Sequence, residues 1–137
     1  ELIINAAGKN MSPANIEATL KSASPLIGQA VCLGDARPYN VALIVLDPDA
    51  CGAFASQHGI EDGSPAALAG DDRVQAAIGA AIEEANSHLS RVEQIKKWCL
   101  LETEWQPGGD ELTPTMKLKR RPIEQKYSRE IQGLYGR

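Results

Sequence analysis

At 137 residues the chain has the size of one compact domain, long enough to bury well over half of its unfolded surface around a single core. Apolar residues make up 43% of it but aromatic ones only 4%, so that core must be built from Ile, Leu, Val and Ala. A formal net charge of -4 repels polyphosphate and argues against a general nucleic-acid binder, leaving room only for a local anion site.

No apolar run approaches the roughly 20 residues of a membrane-spanning helix, and the first residues lack the basic and apolar regions of a signal peptide. Cys32, Cys51 and Cys99 are widely spaced and form no CxxC pair, which is the cysteine usage of a reducing compartment. The expectation is a cytoplasmic protein, peripheral to membrane at most, with three free thiols in its core. The opening "ELIIN" has no initiator Met, and the expected origin is a segment of a longer polypeptide.

In chain order, "ELIIN" reads as a strand and "AAGKNMSP" as a loop. Ser12 and Pro13 then supply an N-cap and a first helical residue. Ile16, Leu20 and Ala23 carry the apolar stripe of that helix, which Ser24-Pro25 ends because a residue before proline avoids helical angles. "QAVCLG" and "VALIVL" are strand-like and joined by the turn-forming "DARPYN", predicting a hairpin. Asp47 and Pro48 start a second helix that Gly59 ends. "IEDGSPAALAG" has no period and reads as a surface loop. Asp71 caps a longer helix bearing Val74, Ile78, Ile82, Ala85 and Leu89.

"IKKWCLLE" is expected to be a third strand, with the helix before it as the crossover that a parallel pairing needs. "QPGGDELT" reads as a turn. Ile123, Tyr127, Ile131 and Leu134 predict one amphipathic helix from Pro122, laid on the domain surface. The fold class is therefore a small α/β or α+β domain, with a short mixed sheet that includes a hairpin and helices packed on it.

His58 and His88 have no Cys, His or carboxylate at metal-ligand spacing, so no metal site is expected. No phosphate-cradling GxGxxG or GxxxxGK[ST] occurs. Two segments carry more: "IINAAGKNMSPANIE", a strand running through Gly8-Lys9-Asn10 into a capped helix with Glu17, and "LTPTMKLKRRP", with Lys117, Lys119, Arg120 and Arg121 close together. Taken singly, the first reads as an ordinary strand-loop-helix connection and the second as a solvated basic patch.

Together and in this order, they resemble the C-terminal domain of the AMP-forming acyl-coenzyme A synthetases, the adenylate-forming superfamily. That family opens its C-terminal domain with a segment like Glu1-Leu2-Ile3-Ile4-Asn5, Gly8-Lys9-Asn10-Met11 and Ser12-Pro13 through Ile16-Glu17. Near the other end it carries a proline and then Lys-x-x-Arg, matched by Pro114 and Lys117-Leu118-Lys119-Arg120. The stretches "GKNMSPANIE" and "LTPTMKLKRRPIEQKY" look most like the long-chain fatty acid-CoA ligases. Met116 stands where many relatives have glycine, and Asn10 where many have a large residue.

The resemblance implies that residues 1–137 are the mobile C-terminal lid of a ligase that joins fatty acid, ATP and coenzyme A (CoA) into acyl-CoA, AMP and pyrophosphate. Its partner would be the N-terminal adenylation domain, absent here, which holds ATP, Mg²⁺ and the acid. The fragment alone is then expected to be inactive and to bind none of them tightly. Lys117 would be the catalytic lysine of adenylation, and Gly8 and Lys9 would belong to the CoA channel. Arg120 would play a supporting role, either holding the lid against its partner domain or solvating the loop; Glu17 would be a structural partner. The competing expectations are a non-catalytic interaction module that docks an acidic partner, and a fatty acyl-AMP ligase that loads a carrier protein.

Overall fold

The computed structural model describes residues 2–136; Glu1, the first residue of the strand expected in "ELIIN", lies outside them. Elements follow in the order β1 (Ile3–Ile4), β2 (Asn10–Met11), α1 (Pro13–Ala23), β3 (Ile27–Leu33), β4 (Asn40–Leu46), α2 (Pro48–His58), α3 (Pro65–Leu68), α4 (Asp72–Asn86), β5 (Ile95–Leu101), α5 (Arg120–Lys126) and α6 (Ser128–Leu134).

The main sheet has the order β3-β4-β5, with β3 antiparallel to β4 and β5 parallel to it. This is the expected mixed sheet with a hairpin. Every residue of β4 is buried, because helices cover both faces of the sheet. Alternation sorts the side chains between them. Ala30, Cys32, Ala42, Ile44 and Leu46 face Ile16 and Leu20 of α1 and Val74, Ile78 and Ile82 of α4. Val31, Leu33, Val41, Leu43 and Val45 face Ile123, Tyr127 and Ile131, together with Trp105 and Leu112. The chain therefore builds two apolar layers about one sheet rather than a single core on one side.

Local chemistry explains most boundaries. The Ser12 hydroxyl accepts the Asn15 N–H at 3.2 Å and Asp47 accepts that of Ala50 at 2.9 Å, each followed by proline in the first turn. Gly59 ends α2 at φ 66°, the left-handed angle that suits glycine.

Three expectations need correction. "AAGKNMSP" is not all loop: Asn10–Met11 pairs antiparallel with Ile3–Ile4 and makes a second small sheet, since Met11, 5% exposed, has a core position to fill. "IEDGSPAALAG" contains α3, capped by Ser64 and held by Leu68, which is 1% exposed. The single final helix from Pro122 is two helices beginning at Arg120, interrupted at Tyr127 with φ -107° and ψ 24°. Its stripe of Ile123, Tyr127 and Ile131 does not lie on the surface but closes the second apolar layer.

Candidate functional site

Lys117 sits near the tip of a tight hairpin formed by residues 111–119. At its root, the Lys119 N–H donates to the Glu111 carbonyl at 2.8 Å, and Leu112 bridges to Leu118 in antiparallel fashion. Leu112 is fully buried and anchors the hairpin in the second apolar layer. At the tip, the Thr113 N–H donates to the Lys117 carbonyl at 2.8 Å and the Met116 N–H to the Thr113 carbonyl at 2.9 Å. The Lys117 N–H donates to the Thr113 hydroxyl at 3.0 Å. Met116 closes this turn at φ 70°. A residue with a Cβ pays roughly 1 to 2 kcal/mol there, so the turn uses an angle that glycine would adopt freely.

The Lys117 side chain is exposed. Among the described residues its ammonium forms no hydrogen bond or ion pair, and it borders a groove of about 360 Å³ between the hairpin and α1. Its basic neighbours behave differently. Lys119 donates from Nζ to the Gly109 carbonyl at 3.1 Å. Arg120 reaches Glu17 on α1 with two bonds, Nη1 to Oε2 at 2.7 Å and Nη2 to Oε1 at 2.6 Å. Glu17 is 5% exposed and also accepts the Cys32 N–H at 2.8 Å. Arg120 thus binds the hairpin root to its own domain, a partner that neither sequence reading of it included. Glu17 has the structural role expected of it.

Gly8 turns the β1-β2 hairpin at φ 81°, and a Cβ built there would meet no atom within 4 Å. Glycine is present for its backbone angle, in open space. Asn5 shapes the turn, its Oδ1 accepting the N–H groups of Ala7 at 3.0 Å and Lys9 at 2.9 Å. The Lys9 side chain is exposed. This hairpin docks on the β3-β4 connection, the Ala6 N–H donating to the Arg37 carbonyl at 2.9 Å and the Ala36 N–H to that of Ile4 at 2.8 Å.

The fold does not bring the Gly8 and Lys117 hairpins together. Lys117 borders the middle of β3 at Gln29 and Ala30, whereas the Gly8 hairpin meets the chain past its end, at Ala36 and Arg37, roughly 10 Å or more farther along. The two hairpins are therefore separate features of the domain surface. No group of three or more His, Cys, Asp or Glu side chains among the described residues is placed to hold a metal ion. His88 instead pairs with Glu84 at 3.0 Å, and His58 stacks on Phe54 with centroids 4.0 Å apart.

Sequence reasoning missed a buried polar chain beneath the Lys117 hairpin. The Glu111 Oε2 accepts the Tyr127 hydroxyl and the Lys126 Nζ, each at 2.7 Å, and the Trp105 Nε1–H donates to the Tyr127 oxygen at 3.0 Å. Burial raises the Tyr127 pKa above its ordinary value. The hydrogen bonds and charge of Glu111, with that of Asp110, raise the Lys126 pKa. Glu111 belongs to the turn-forming "QPGGDELT", where an adjacent acid, Asp110, is exposed, and no local spacing marks it because it meets Tyr127 only in the fold.

A small mixed sheet covered on both faces, carrying an exposed lysine on one hairpin and a glycine turn on another, defines the class of domain that the motifs suggested. Residues 1–137 match the family of AMP-binding enzyme C-terminal domains, to which this chain belongs. The Mycobacterium tuberculosis protein named fatty-acid-CoA ligase fadD11 is 60% identical over 136 residues, covering 99% of this chain and 24% of that protein. Long-chain-fatty-acid-CoA ligase FadD15 of the same organism is 39% identical, covering 100% of this chain and 23% of its own length. The chain therefore spans about a quarter of the length of these relatives.

Among solved structures, the adenylation domain of a carboxylate reductase from Mycobacterium chelonae superposes with a TM-score of 0.76 at 19% identity, over 99% of this chain and 19% of that one. At that identity the likeness establishes the fold. No helix of the described residues is long and apolar enough to cross a membrane.

Proposed function

We propose that this chain is the C-terminal lid of a long-chain fatty acid-CoA ligase, and that Lys117 is its adenylation lysine. The observation that carries the reading is an ammonium left exposed and, among the described residues, unbonded, at the position where the family motif has its lysine. Membership of the AMP-binding C-terminal family and the names of the relatives support the reaction class.

In the first half-reaction, a fatty carboxylate oxygen bonds to the α-phosphorus of ATP and the bond to pyrophosphate breaks. Negative charge gathers on oxygens of both reacting groups. An ammonium with three donors on a long stem stabilises that charge without needing fixed bidentate geometry. Mg²⁺ would accompany the phosphates of ATP on the adenylation domain.

In the second half-reaction, the CoA thiol sulfur bonds to the acyl carbon and AMP leaves. Gly8 and Lys9 belong to the face used then. The open space at Gly8 lets a pantetheine arm run close to backbone, and the Lys9 ammonium is free to meet a phosphate. The two hairpins stand apart along β3, so a lid of this shape would present them in turn by moving as a body against its partner domain. The relatives' names favour CoA over a carrier protein as acceptor.

The test uses the complete polypeptide that contains this chain. Lys117→Ala should lower acyl-adenylate formation by at least about 10² to 10³, the cost of one lost oxyanion donor, while pre-made acyl-adenylate still passes to CoA. Equal loss of both half-reactions would assign the lysine another role.

A further inference from the structure

Both roots of the Lys117 hairpin are tied down by charge, while among the described residues its tip is held by bonds within itself, among Thr113, Thr115, Met116 and Lys117. On one side Glu111, 6% exposed, takes the Tyr127 hydroxyl and Lys126 ammonium on its Oε2. On the other, Arg120 takes Glu17. Trp105 backs the first anchor, its ring tilted at 38° to that of Tyr127 with centroids 5.8 Å apart.

Leu112 and Leu118 already seat the hairpin in the apolar layer, so attachment alone does not require a carboxylate there. Burying one costs several kcal/mol, and an apolar residue of similar volume would often be as stable. What the polar chain adds is direction: a hydrogen bond from Tyr127 at 2.7 Å weakens steeply as its angle opens, which an apolar contact does not.

We infer that Glu111 and Tyr127 are positioning residues for Lys117. The Trp105-Tyr127-Glu111 chain fixes the angle at which the hairpin carries the ammonium to the reacting oxygens. The inference rests on the reading of Lys117 as the adenylation lysine. Its leverage is geometric: the arm from hairpin root to ammonium is roughly 10 Å, so a tilt of about 5° at Glu111 displaces the charge by about 1 Å. A misplacement of that size costs on the order of 10²-fold in rate.

The experiment compares Tyr127→Phe and Glu111→Gln in the complete polypeptide, each below its melting temperature. Tyr127→Phe keeps the ring against Trp105 and deletes the hydroxyl; Glu111→Gln keeps the shape and deletes the charge. Either should lower kcat of acyl-adenylate formation by about 10- to 100-fold with KM for ATP and fatty acid little changed. Thioester formation from pre-made acyl-adenylate should stay near the parent rate. On a Lys117→Ala background neither should cause further loss, since both act through that lysine.

Parallel loss in both half-reactions, or a full further loss without Lys117, would reduce the pair to a purely structural role and overturn the inference. So would full adenylation activity in both variants beside an inactive Lys117→Ala. An active Lys117→Ala would instead overturn the reading of Lys117 itself.

Discussion

Arg120 and Glu17, 103 residues apart in the chain, form a two-point ion pair with N to O distances of 2.7 and 2.6 Å. It joins the start of α5 to α1 and, through the Cys32 N–H, to β3. The basic run that looks like a solvated patch in sequence is thereby split: Arg120 and Lys119 are bound inward, and Lys117 is left exposed.

Removing the Arg120 guanidinium takes the counter-charge away from a buried Glu17 carboxylate. The Glu17 side chain is 7% exposed and that of Arg120 20%. Arg120→Gln should cost about 3 kcal/mol, or roughly 10 °C in melting temperature, read by thermal denaturation. Glu17→Met combined with Arg120→Met should recover much of that loss, because it removes the desolvation penalty along with the attraction. A double variant no better than the single one would show that the guanidinium plane itself holds the hairpin.

At Gly8 the demand is the φ of 81° rather than space. Gly8→Asn, which tolerates left-handed angles, should therefore be folded and stable. Gly8→Val should lose about 1 to 2 kcal/mol, seen in denaturant titration. In the complete polypeptide both variants place a side chain on the expected channel wall, and both should impair the thioester step. Normal CoA kinetics in Gly8→Asn would take Gly8 off that wall.

Alkaline pH should loosen the α6 end of the domain. Burial pushes the Tyr135 hydroxyl from 10.0 up to about 12, where it donates to the Tyr39 carbonyl at 3.0 Å and the Leu33 carbonyl at 3.2 Å. The native chain thus holds a proton that the unfolded chain has already lost. Stability from this group is complete below pH 10, and it falls as pH rises toward 12. Tyrosinate absorbance and circular dichroism recorded together should show late ionisation coupled to unfolding. In Tyr135→Phe that coupling should weaken.

Buried thiols should resist alkylation. Burial, followed by the Glu17 charge, raises Cys32 to about 12, and burial with Asp47 raises Cys51 to about 11. At about pH 8 almost no thiolate forms at either site, so iodoacetamide should label neither in the native protein. Mass spectrometry before and after denaturation reads this directly. Rapid native labelling of Cys32 would contradict its place beneath α1.

The predicted helix starts at Ser12-Pro13 and Asp47-Pro48, the β3-β4 hairpin and the parallel return of β5 all appear as read. Each depends on neighbours a few residues away: a side-chain oxygen reaching the next turn, a proline with no N–H to satisfy, or a run of β-branched residues. Helix α3 was hidden because four residues are too few to show a period, and its warrant is one buried leucine. The break at Tyr127 was hidden because Ile123, Tyr127 and Ile131 keep helical spacing across it.

What the sequence by itself determined was the alternation of elements, the apolar faces and the family motif with Lys117, since those are written in local spacing. Only the tertiary structure decided which charge stays free. Glu17 and Arg120, or Glu111 and Tyr127, meet across distant parts of the chain, and a buried charge is stable only where such a partner arrives. The exposed ammonium of Lys117 is what remains once packing has assigned its neighbours.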